Sequence, residues 1–379
     1  MTALEFTLKY RLPLVGFSLT IAVVASLASL ASETSVASAT EDPVIAAAGD
    51  IACAPGVAKS KSKCHHGNTA QLLQDGNYTA VLPLGDEQYE CGNLGAFLTE
   101  YDPTWGQFND KAYPIVGDNE YAGGSCSTPG ASGYFTYFGN RASPDQDGCL
   151  QACRGYYSYD IGTWHMIALN SECTQPGVGG CSATSPMGTW LEKDLAAHPT
   201  SCTLAYMHRP YWANGGVSTK FKPLMQLMYD AGVEILLSGH NHFYSRFAPQ
   251  SPASVADPNG IRQFVVGTGG VSHSSTPVAM PNLEEQDTTT FGLLSLTLHP
   301  DSYDFEFVPD TTSGLFTDLG GGDCHGAAPS GDTPGQVTAA KVVSGSTTDR
   351  AVSVTVRYAA ASGAPTGYRI EVIDQTTGD

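Results

Sequence analysis

Basic side chains are scarce in this sequence. Lysine and arginine number 18 in 379 residues, against 37 aspartates and glutamates, and the formal net charge at pH 7 is −19. A surface this negative repels the phosphate backbone of nucleic acids, so we do not expect nucleic acid to be the main partner. The same excess of carboxylates is suited to binding multivalent cations.

Charged residues of both signs are also few, at 15% of the chain. The sequence instead contains 42 glycines, 23 prolines and 41% hydrophobic residues. This composition excludes a disordered chain, a coiled coil and a collagen-like protein, and it predicts a globular chain with many loops. The length predicts one large domain of catalytic size with a small additional segment.

A long apolar run lies near the N-terminus, over residues 12–31. Lys9 and Arg11 precede it, and a small-x-small cleavage site, Ala37–Ala39, follows it. This order predicts a signal peptide over residues 1–39, and no stable membrane span remains after its cleavage. The alternative is an uncleaved run that anchors the protein in a membrane. Both interpretations predict a secreted, extracellular or cell-surface protein.

The cysteines lack the spacing of a metal-binding module, because no Cys-x-x-Cys pair and no zinc-finger spacing of cysteine and histidine occurs. An even number of cysteines, 10, in an exported chain instead predicts disulfides. Cys149 with Cys153, and Cys173 with Cys181, are close enough to close local loops. The other pairings stay open.

Residues 40–319 are predicted to form one α/β catalytic domain, because short apolar runs alternate there with loops and a few helices. Ser185 and Pro186 are a helix-start signal and predict a helix that ends at Ala197. Gly232 is a helix-stop signal and predicts a helix over Phe221–Ala231. The predicted strands are Val44–Ala48, Ala80–Leu84, Ala112–Val116, Tyr156–Tyr159, His165–Leu169, Thr203–Met207, Val233–Leu237, Arg262–Val266, Phe291–Leu298 and Ser302–Val308.

A stretch rich in Gly, Pro, Ser and Asp predicts a linker over residues 320–335. Beyond it, alternating residues predict three strands, Val337–Val343, Ala351–Tyr358 and Tyr368–Ile373. Three strands do not close a sandwich. Residues 336–379 therefore resemble an incomplete, all-β fibronectin type III-like segment.

Three predicted strands end in the same dipeptide, at Gly49-Asp50, Gly85-Asp86 and Gly117-Asp118. The carboxyl ends of strands in an α/β sheet converge on the ligand crevice, so we expect the three carboxylates to lie together. A single aspartate there can simply form a turn, but the recurrence favours a shared site. Carboxylates that face one another repel, and the crevice therefore needs cations.

Two further predicted strands end in histidine. His208 follows one, and His240 and His242 follow another. In an extended segment His240 and His242 point the same way, so both can serve one cluster. A lone histidine is usually structural, but this combination of histidines and aspartates is typical of a metal-ligand set.

Taken in order, these residues resemble the metallophosphoesterase, or calcineurin-like, superfamily over about residues 44–310. The superfamily pattern places Gly-Asp, Gly-Asp, Gly-Asn-His or Gly-Asn-Asp, His and Gly-His-x-His in succession. Ala52 stands where many members carry a histidine, and Tyr89 instead resembles the purple acid phosphatase branch. His208-Arg209-Pro210 and Tyr244…Arg246 resemble the same branch, in a bacterial, secreted form.

The resemblance implies a four-layer α/β/β/α sandwich with two metal ions at the strand ends. It implies Fe in the first site, bound by a phenolate, and Zn, Mn or Fe in the second. The ligands it implies are Asp50, Asp86, Tyr89 and His242 for the first ion and Asp86, Asp118, His208 and His240 for the second. A metal-bound hydroxide would attack small phosphate esters in line, which makes the protein a metal-dependent phosphoric ester hydrolase of the acid or alkaline phosphatase kind.

The resemblance also implies catalytic contributions from Asn119, His208 and Arg246, and His273, in a glycine-rich loop at a strand end, is a further candidate. Asn119 stands where many members carry a histidine that contacts phosphate or protonates the leaving group. Asparagine cannot act as an acid, so His273 is a candidate to supply that proton. The alternatives are a degenerate, non-catalytic metal or phosphate binder, or a cell-surface binding protein that uses the C-terminal β segment. Tyr89 has the alternative role of a packed aromatic residue.

Overall fold

The computed structural model describes residues 41–121, 129–146, 148–150, 152–213, 215–273, 278–326, 339–344 and 352–357. The described residues up to 326 belong to one compact unit, and the strands beyond residue 338 belong to another. The predicted signal peptide over residues 1–39 lies outside the described residues. None of the helices in the described part of the chain is long and apolar enough to cross a membrane.

The larger unit alternates strands with helices. Its strands are β1 Val44–Ala48, β2 Ala80–Pro83, β3 Tyr157–Ile161, β4 Trp164–Ala168, β5 Cys202–Tyr206, β6 Trp212–Ala213, β7 Gly216–Val217, β8 Ile235–Ser238, β9 Tyr244–Phe247, β10 Arg262–Val266, β11 Leu283–Asp287, β12 Gly292–Leu298, β13 Ser302–Pro309 and β14 Leu319–Asp323. Its α-helices are α1 His66–Asp75, α2 Leu94–Ala96, α3 Ser132–Phe138, α4 Pro186–Ala197 and α5 Lys222–Asp230.

Five strands form one mixed sheet in the order β14-β13-β12-β1-β2. Strand β1 pairs in parallel with β2 and antiparallel with β12. Every residue of β1 is apolar, and all but the first are buried, which is typical of a strand covered on both faces. The first predicted strand, Val44–Ala48, is confirmed residue for residue.

Seven strands form a second sheet in the order β11-β9-β10-β8-β5-β4-β3. Strands β4, β5, β8 and β10 run parallel, so their carboxyl ends meet at one edge. Aromatic pairs join the two sheets: the ring centroids of Phe264 and Phe305 are 5.0 Å apart, and those of Tyr244 and Phe307 are 4.7 Å apart. The fold is mixed α/β with two packed sheets, as predicted.

Helices α4 and α5 cover the outer face of the seven-stranded sheet. Met187 of α4 and Leu224 of α5 lie in one apolar cluster with residues of β4, β5 and β8. Helix α4 begins where its cap predicts, because the Ser185 hydroxyl oxygen accepts the N–H of Gly188 at 3.1 Å. Helix α5 ends just before Gly232, whose φ of 76° breaks the helix.

One predicted strand, Ala112–Val116, is wrong. The segment runs beside β2, where Tyr113 and Ile115 donate their N–H groups to β2 carbonyls. The ladder does not continue because Pro83 of β2 has no N–H to donate in return. The Tyr113 carbonyl instead accepts a hydrogen bond from the Tyr206 hydroxyl at 3.2 Å. The segment is a loop that leads to the same sheet edge as β1 and β2.

The predicted linker over residues 320–335 is wrong in its first part, because residues up to 323 form β14 and pair with β13. Its glycines are needed because this strand packs closely against side chains of the neighbouring strand, and not because the segment has to be flexible. A Cβ on Gly320 would lie 2.8 Å from the ring of Phe305 on the neighbouring strand. A glycine-rich composition cannot distinguish such a packed strand from a linker.

Two further contacts hold the chain after β14 against the domain. Cys324 forms a disulfide with Cys202 at the start of β5. The buried Glu234 carboxylate accepts the N–H of His325 at 3.0 Å and that of Gly326 at 2.8 Å. The compact domain therefore extends beyond the predicted boundary at residue 319.

The predicted C-terminal β segment over residues 336–379 is described in two pieces. Strand β15, Ala339–Ser344, pairs antiparallel with strand β16, Val352–Arg357. They overlap the first two strands predicted there. The third, Tyr368–Ile373, lies outside the described residues. The fibronectin type III-like assignment stays a prediction.

Disulfides connect distant as well as neighbouring parts of the described chain. Cys149–Cys153 and Cys173–Cys181 confirm the two predicted local loops. Cys53–Cys64 and Cys202–Cys324 were not predicted, because spacing alone does not identify partners far apart in the sequence. The half-cystines of Cys53–Cys64 pack against Tyr89 in a small apolar cluster.

We expect replacement of both Cys202 and Cys324 by serine to lower the free energy of unfolding more than replacement of both Cys149 and Cys153. The sequence separations are 122 and 4 residues. Loop-closure entropy alone makes such crosslinks worth about 5 and about 2 kcal/mol. Denaturant unfolding of the two double variants measures the difference. Equal losses would contradict the loop-closure argument.

Candidate metal centre

Polar side chains from both sheets meet at the edge where β1, β2, β5 and β8 end. The residues brought there are Asp50 after β1, Asp86 and Tyr89 after β2, Asp118 from the loop beside β2, His208 after β5, and His240 and His242 after β8. All seven residues predicted as metal ligands therefore lie at one edge.

The glycine before an aspartate makes room for a neighbouring side chain. Gly85 has a φ of 86°, and a Cβ on it would lie 2.5 Å from Nδ1 of His208. A Cβ on Gly117 would collide with the Asp86 carboxylate. Asp50 and Asp86 themselves have φ values of 59° and 52°, a conformation that costs of order 1–3 kcal/mol in a residue other than glycine. The local backbone is strained in order to bring the carboxylates together.

Four side chains form a first group around the Tyr89 hydroxyl. Its oxygen lies 2.7 Å from Oδ1 of Asp50 and 2.8 Å from Oδ2 of Asp86. It also lies 3.0 Å from Nε2 of His242, which is 3.1 Å from Oδ1 of Asp50. Two carboxylate oxygens, a phenol oxygen and an imidazole nitrogen thus converge.

A second group consists of Asp86, Asp118, His208 and His240. Nε2 of His208 lies 3.0 Å from Oδ1 of Asp118 and 3.4 Å from Oδ1 of Asp86. Nδ1 of His240 lies 2.9 Å from the same Asp118 oxygen. Asp86 belongs to both groups, with Oδ2 in the first and Oδ1 in the second.

The spacing within both groups fits the ligands of a metal ion. Two ligand atoms at right angles, each about 2.1 Å from one ion, lie about 3.0 Å apart. Burial opposes protonation of His208, but Asp86 and Asp118 raise its pKa well above the ordinary value. Burial, together with Asp50 and Asp86, raises the pKa of the Tyr89 phenol. A cation can take the place of these protons.

Outer contacts orient the ligand atoms. Nδ1 of His208 donates to the Leu84 carbonyl at 2.8 Å, so Nε2 faces the carboxylates. Nδ1 of His242 is hydrogen-bonded to the Ser272 hydroxyl at 3.0 Å. Such partners hold a ligating imidazole in one orientation. The His208 side chain is fully buried, which fits a ligand better than a group that contacts substrate.

Glu120 is a functional residue that the sequence patterns did not identify. Its buried carboxylate accepts the N–H groups of Asp86 at 3.0 Å, Gly117 at 2.9 Å and Gln88 at 3.2 Å. Burial raises the pKa of Glu120 to about 8, with Asp86 adding to the effect. Glu120 therefore holds two of the strand-end loops in register.

Asn119 does not have the position expected from the superfamily pattern. Its backbone N–H donates to Oδ1 of Asp86 at 2.8 Å, and its side-chain amide donates to Oδ2 of Asp86 at 2.6 Å. The amide is therefore committed to the shared carboxylate rather than directed toward a substrate. Asn119 is a positioning residue for Asp86.

Arg209 brings a positive charge to the second group. Its Nε donates to Glu172 at 2.6 Å, which holds the guanidinium in place. Its two terminal nitrogens lie 3.0 Å from Oδ2 of Asp118 and 3.0 Å from Nε2 of His240. The motif His-Arg-Pro was noted in the sequence, but only the fold shows that the arginine faces the ligands.

The described contacts of Arg246, which the sequence predicted to be catalytic, lie outside the two metal-ligand groups. Its guanidinium binds Asp318 at 2.7 and 3.0 Å and also contacts Glu284. The Tyr244 hydroxyl donates to the same Asp318 at 2.7 Å. Because residues two apart on a strand point the same way, Tyr244 and Arg246 together neutralise a buried aspartate.

His273 is also poorly placed as a proton donor. Its ring stacks on Phe291 with centroids 3.8 Å apart, and His65 stacks on Phe291 at 4.5 Å. Burial lowers the pKa of His273, so the ring is neutral at neutral pH. The prediction of a catalytic acid at this position is not supported by these contacts.

A cleft of about 350 Å³ opens beside the second group. Its lining includes the polar residues Arg209, His240 and Asn241 and the aromatic residues Tyr211 and Phe221. A ligand in this cleft would meet cationic, metal-ligating and aromatic side chains.

No protein-family model matches the chain, but curated proteins do. It is 31% identical to acid phosphatase A of Cryphonectria parasitica over 231 residues, which cover 51% of this chain and 43% of that protein. It is 30% identical to purple acid phosphatase 21 of Arabidopsis thaliana over 123 residues, 30% of this chain and 26% of that protein. It is 24% identical to human acid phosphatase type 7 over 238 residues, 55% of this chain and 51% of that protein.

Solved structures share the fold. Purple acid phosphatase PPD1 from yellow lupin seeds matches with a TM-score of 0.54 and 17% identity, over 73% of this chain and 53% of that one. GAP50, the anchor in the inner membrane complex of Plasmodium, matches with a TM-score of 0.52 and 13% identity, over 76% and 91%. The shared fold and the phosphatase relatives agree with the strand-end ligand pattern. In fold and in strand-end ligand pattern the chain is similar to the calcineurin-like metallophosphoesterases.

The shared fold does not by itself assign an activity, because one structural relative is a phosphatase and the other an anchor. The chain also spans between about a quarter and about half of the length of the curated relatives described above. Its activity has to be argued from the groups around Asp86.

We expect Asp86→Ala to hold about two fewer metal ions per chain than the wild type, because Asp86 has an oxygen in each group. His242→Ala should hold about one fewer, because His242 belongs only to the first group. Elemental analysis after metal loading and desalting measures both. Asp310→Ala is the matched control, since Asp310 is a buried carboxylate bonded to a histidine outside both groups. Unchanged metal content in Asp86→Ala would contradict the shared-ligand arrangement.

Proposed function

We propose that this protein is a dimetal phosphoesterase that hydrolyses small phosphate esters. The position of Asp86, with one oxygen in each of two ligand-like groups, carries this proposal. Phosphatases are among the enzymes that use two metal ions close together. Relatives named acid phosphatases support the same reaction class.

The proposal assigns the seven converging residues to two metal ions. The ligands are Asp50, Asp86, Tyr89 and His242 for the first ion, and Asp86, Asp118, His208 and His240 for the second. Mixed oxygen and nitrogen ligation favours Fe, Mn or Zn over Ca or Mg. The phenol of Tyr89 supports Fe in the first site, with Zn, Mn or Fe in the second. When bound, the two ions neutralise phosphoryl charge and activate the attacking water.

Arg209 is proposed as the residue that binds the substrate phosphate. Glu172 holds Nε, and the two terminal nitrogens face the ligand cluster. The planar guanidinium can bind two phosphate oxygens at once, which orients the phosphoryl group. The aromatic residues in the lining of the adjacent cleft then suit the organic part of the ester.

Neither Asn119 nor His273, the residues predicted to assist the leaving group, is suited to protonate it. The Asn119 amide cannot donate a proton as an acid and is bonded to Asp86. His273 is neutral at neutral pH and stacked on Phe291. The proposed enzyme therefore favours esters whose leaving groups depart as stable anions, such as aryl phosphates.

The protein is proposed to act outside the cytoplasm. The described disulfides support an oxidising compartment, since such bonds are rare in cytosolic proteins. The apolar run before residue 40 supports export by its order of charge, apolar stretch and cleavage site.

We expect metal-loaded protein to hydrolyse p-nitrophenyl phosphate with a kcat/KM well above that for glycerol phosphate. General acid catalysis contributes about 10²–10⁴-fold, and an alkyl leaving group needs it most. Steady-state rates on both esters test this, with Asp86→Ala as the control for contaminating phosphatases. No aryl turnover with both metal sites filled would favour the non-catalytic binder. Equal rates would mean that another residue supplies the proton.

We expect Arg209→Lys to raise KM for p-nitrophenyl phosphate and to weaken inhibition by inorganic phosphate, each by about 10-fold. Lysine keeps the charge but loses the two-point contact, which is worth about 1.5–3 kcal/mol. Arg246→Lys is the matched control: it should lower the melting temperature and leave KM unchanged, because Arg246 binds Asp318. Metal content is measured for both variants. A KM change in Arg246→Lys, or none in Arg209→Lys, would contradict the assignment.

A further inference from the structure

A second cluster of metal-ligating side chains lies on the outer face of the seven-stranded sheet. It contains His165 in β4, Asp194 in α4 and His198 directly after α4. His165 is at the start of β4, whereas the metal centre lies beyond the carboxyl ends of the parallel strands. The cluster is therefore at the opposite end of the sheet, and the proposed phosphoesterase reaction does not use it.

His165 is held as ligating histidines are held. Nδ1 lies 2.8 Å from Oδ1 of Asp160, and Nε2 lies 2.9 Å from Oδ2 of Asp194. The Ser158 hydroxyl donates to the other Asp194 oxygen at 2.6 Å. The His165 side chain is only 3% exposed. A carboxylate behind one ring nitrogen, with the other nitrogen directed at a ligand atom, is the usual outer arrangement of a metal-bound histidine.

His198 completes the cluster from the end of α4. Its ring stacks on that of His165, with centroids 4.4 Å apart and an angle of 16° between the planes. Nδ1 of His198 lies 3.5 Å from Oδ1 of Asp194 and donates to the backbone carbonyl of Asp194 at 2.9 Å. One ligand atom from each of His165, Asp194 and His198 lies within 4.8 Å of the others. For both imidazoles and a carboxylate oxygen to contact one ion, the exposed His198 ring has to release the Asp194 carbonyl and turn out of the stack.

An ion pair between His165 and Asp194 needs only one histidine. The arrangement also places a second imidazole, that of His198, against the first ring. A metal ion would be attracted to both imidazoles and to the carboxylate.

His299 offers a comparison within the same chain. Its Nδ1 lies 2.6 Å from Asp42 and its Nε2 lies 3.1 Å from Asp304. Those carboxylates lie on opposite sides of the ring, and the described residues add no second histidine to make a ligand group there. His299 thus shows the plain histidine–carboxylate pairing without the converging ligands.

The cluster is accessible to ions from solution. The His198 side chain is 46% exposed. His198 also lines a cleft of about 440 Å³ together with the acidic residues Glu192 and Asp230. Negative charge around an open cleft attracts cations. An ion can therefore reach the cluster without opening the core.

We propose that His165, Asp194 and His198 form a third metal site, distinct from the proposed dimetal centre. Two imidazoles and one carboxylate suit Zn²⁺ and the similar ions Co²⁺, Ni²⁺ and Cu²⁺, with solvent as a further ligand. A bound ion would join the end of α4 to the β3–β4 hairpin. The site takes a metal ion whether or not the protein is a phosphatase.

The test counts Zn²⁺ ions in the full chain. Metal-free wild type, His198→Ala and His299→Ala are loaded with Zn²⁺ at pH 7.5, desalted and analysed for zinc, and folding is checked by circular dichroism. We expect His198→Ala to hold one ion fewer than the wild type and His299→Ala to hold the same number. Turnover of p-nitrophenyl phosphate should be unchanged in both variants, since neither residue lies in the metal centre.

Two results would overturn the proposal. One is equal zinc content in wild type and His198→Ala. The other is the loss of an ion in His299→Ala as well, which would mean nonspecific binding to surface histidines. Asp194→Asn provides a second variant, because it keeps the shape of the side chain and removes the anionic ligand. It should also hold one ion fewer, and an unchanged count there would likewise contradict the site.

Discussion

Repulsion between carboxylates at one sheet edge is the constraint on which the rest of this structure depends. Asp50 and Asp86 are almost completely buried, and Asp118 lies beside them. Buried charges of one sign are tolerated only when positive charge or hydrogen-bond donors surround them. His208 and Arg209 supply positive charge, and backbone N–H groups supply donors. The Tyr89 hydroxyl, His242 and the Asn119 amide supply the remaining contacts, so that each carboxylate oxygen meets a donor group or an imidazole nitrogen.

Much of the fold was predictable from local patterns, because strand ends and helix caps are encoded by neighbouring residues. The apolar runs located β1 and β10, and Ser185 with Pro186 marked the start of α4. The errors arose where distant residues decide the outcome. Pro83 ends a ladder with a segment about thirty residues later in the chain, and Phe305 requires glycine on the strand beside it. No local pattern contains that information.

In the metal centre, too, local patterns predicted some features and contacts with distant residues decided the others. The dipeptides and histidines that follow strands predicted which residues would converge, because parallel strands deliver their last residues to one edge. The roles of residues around the centre were less predictable, since each depends on a partner elsewhere in the chain. Asp318 engages Arg246, Phe291 engages His273, and Asp86 engages Asn119. A resemblance predicts the role of such a residue from its place in the sequence motif. The structure instead indicates the role from the residue that the side chain contacts.

The small apolar cluster of Cys53, Cys64, Tyr89 and Val271 links the chemistry of the compartment to that of the centre. Tyr89 contacts the carboxylates with its hydroxyl and packs its ring against the half-cystines. Part of the wall behind the phenol is therefore a disulfide, which forms only under oxidising conditions. The packing around Tyr89 thus depends on the same oxidation that crosslinks the loop between Cys53 and Cys64.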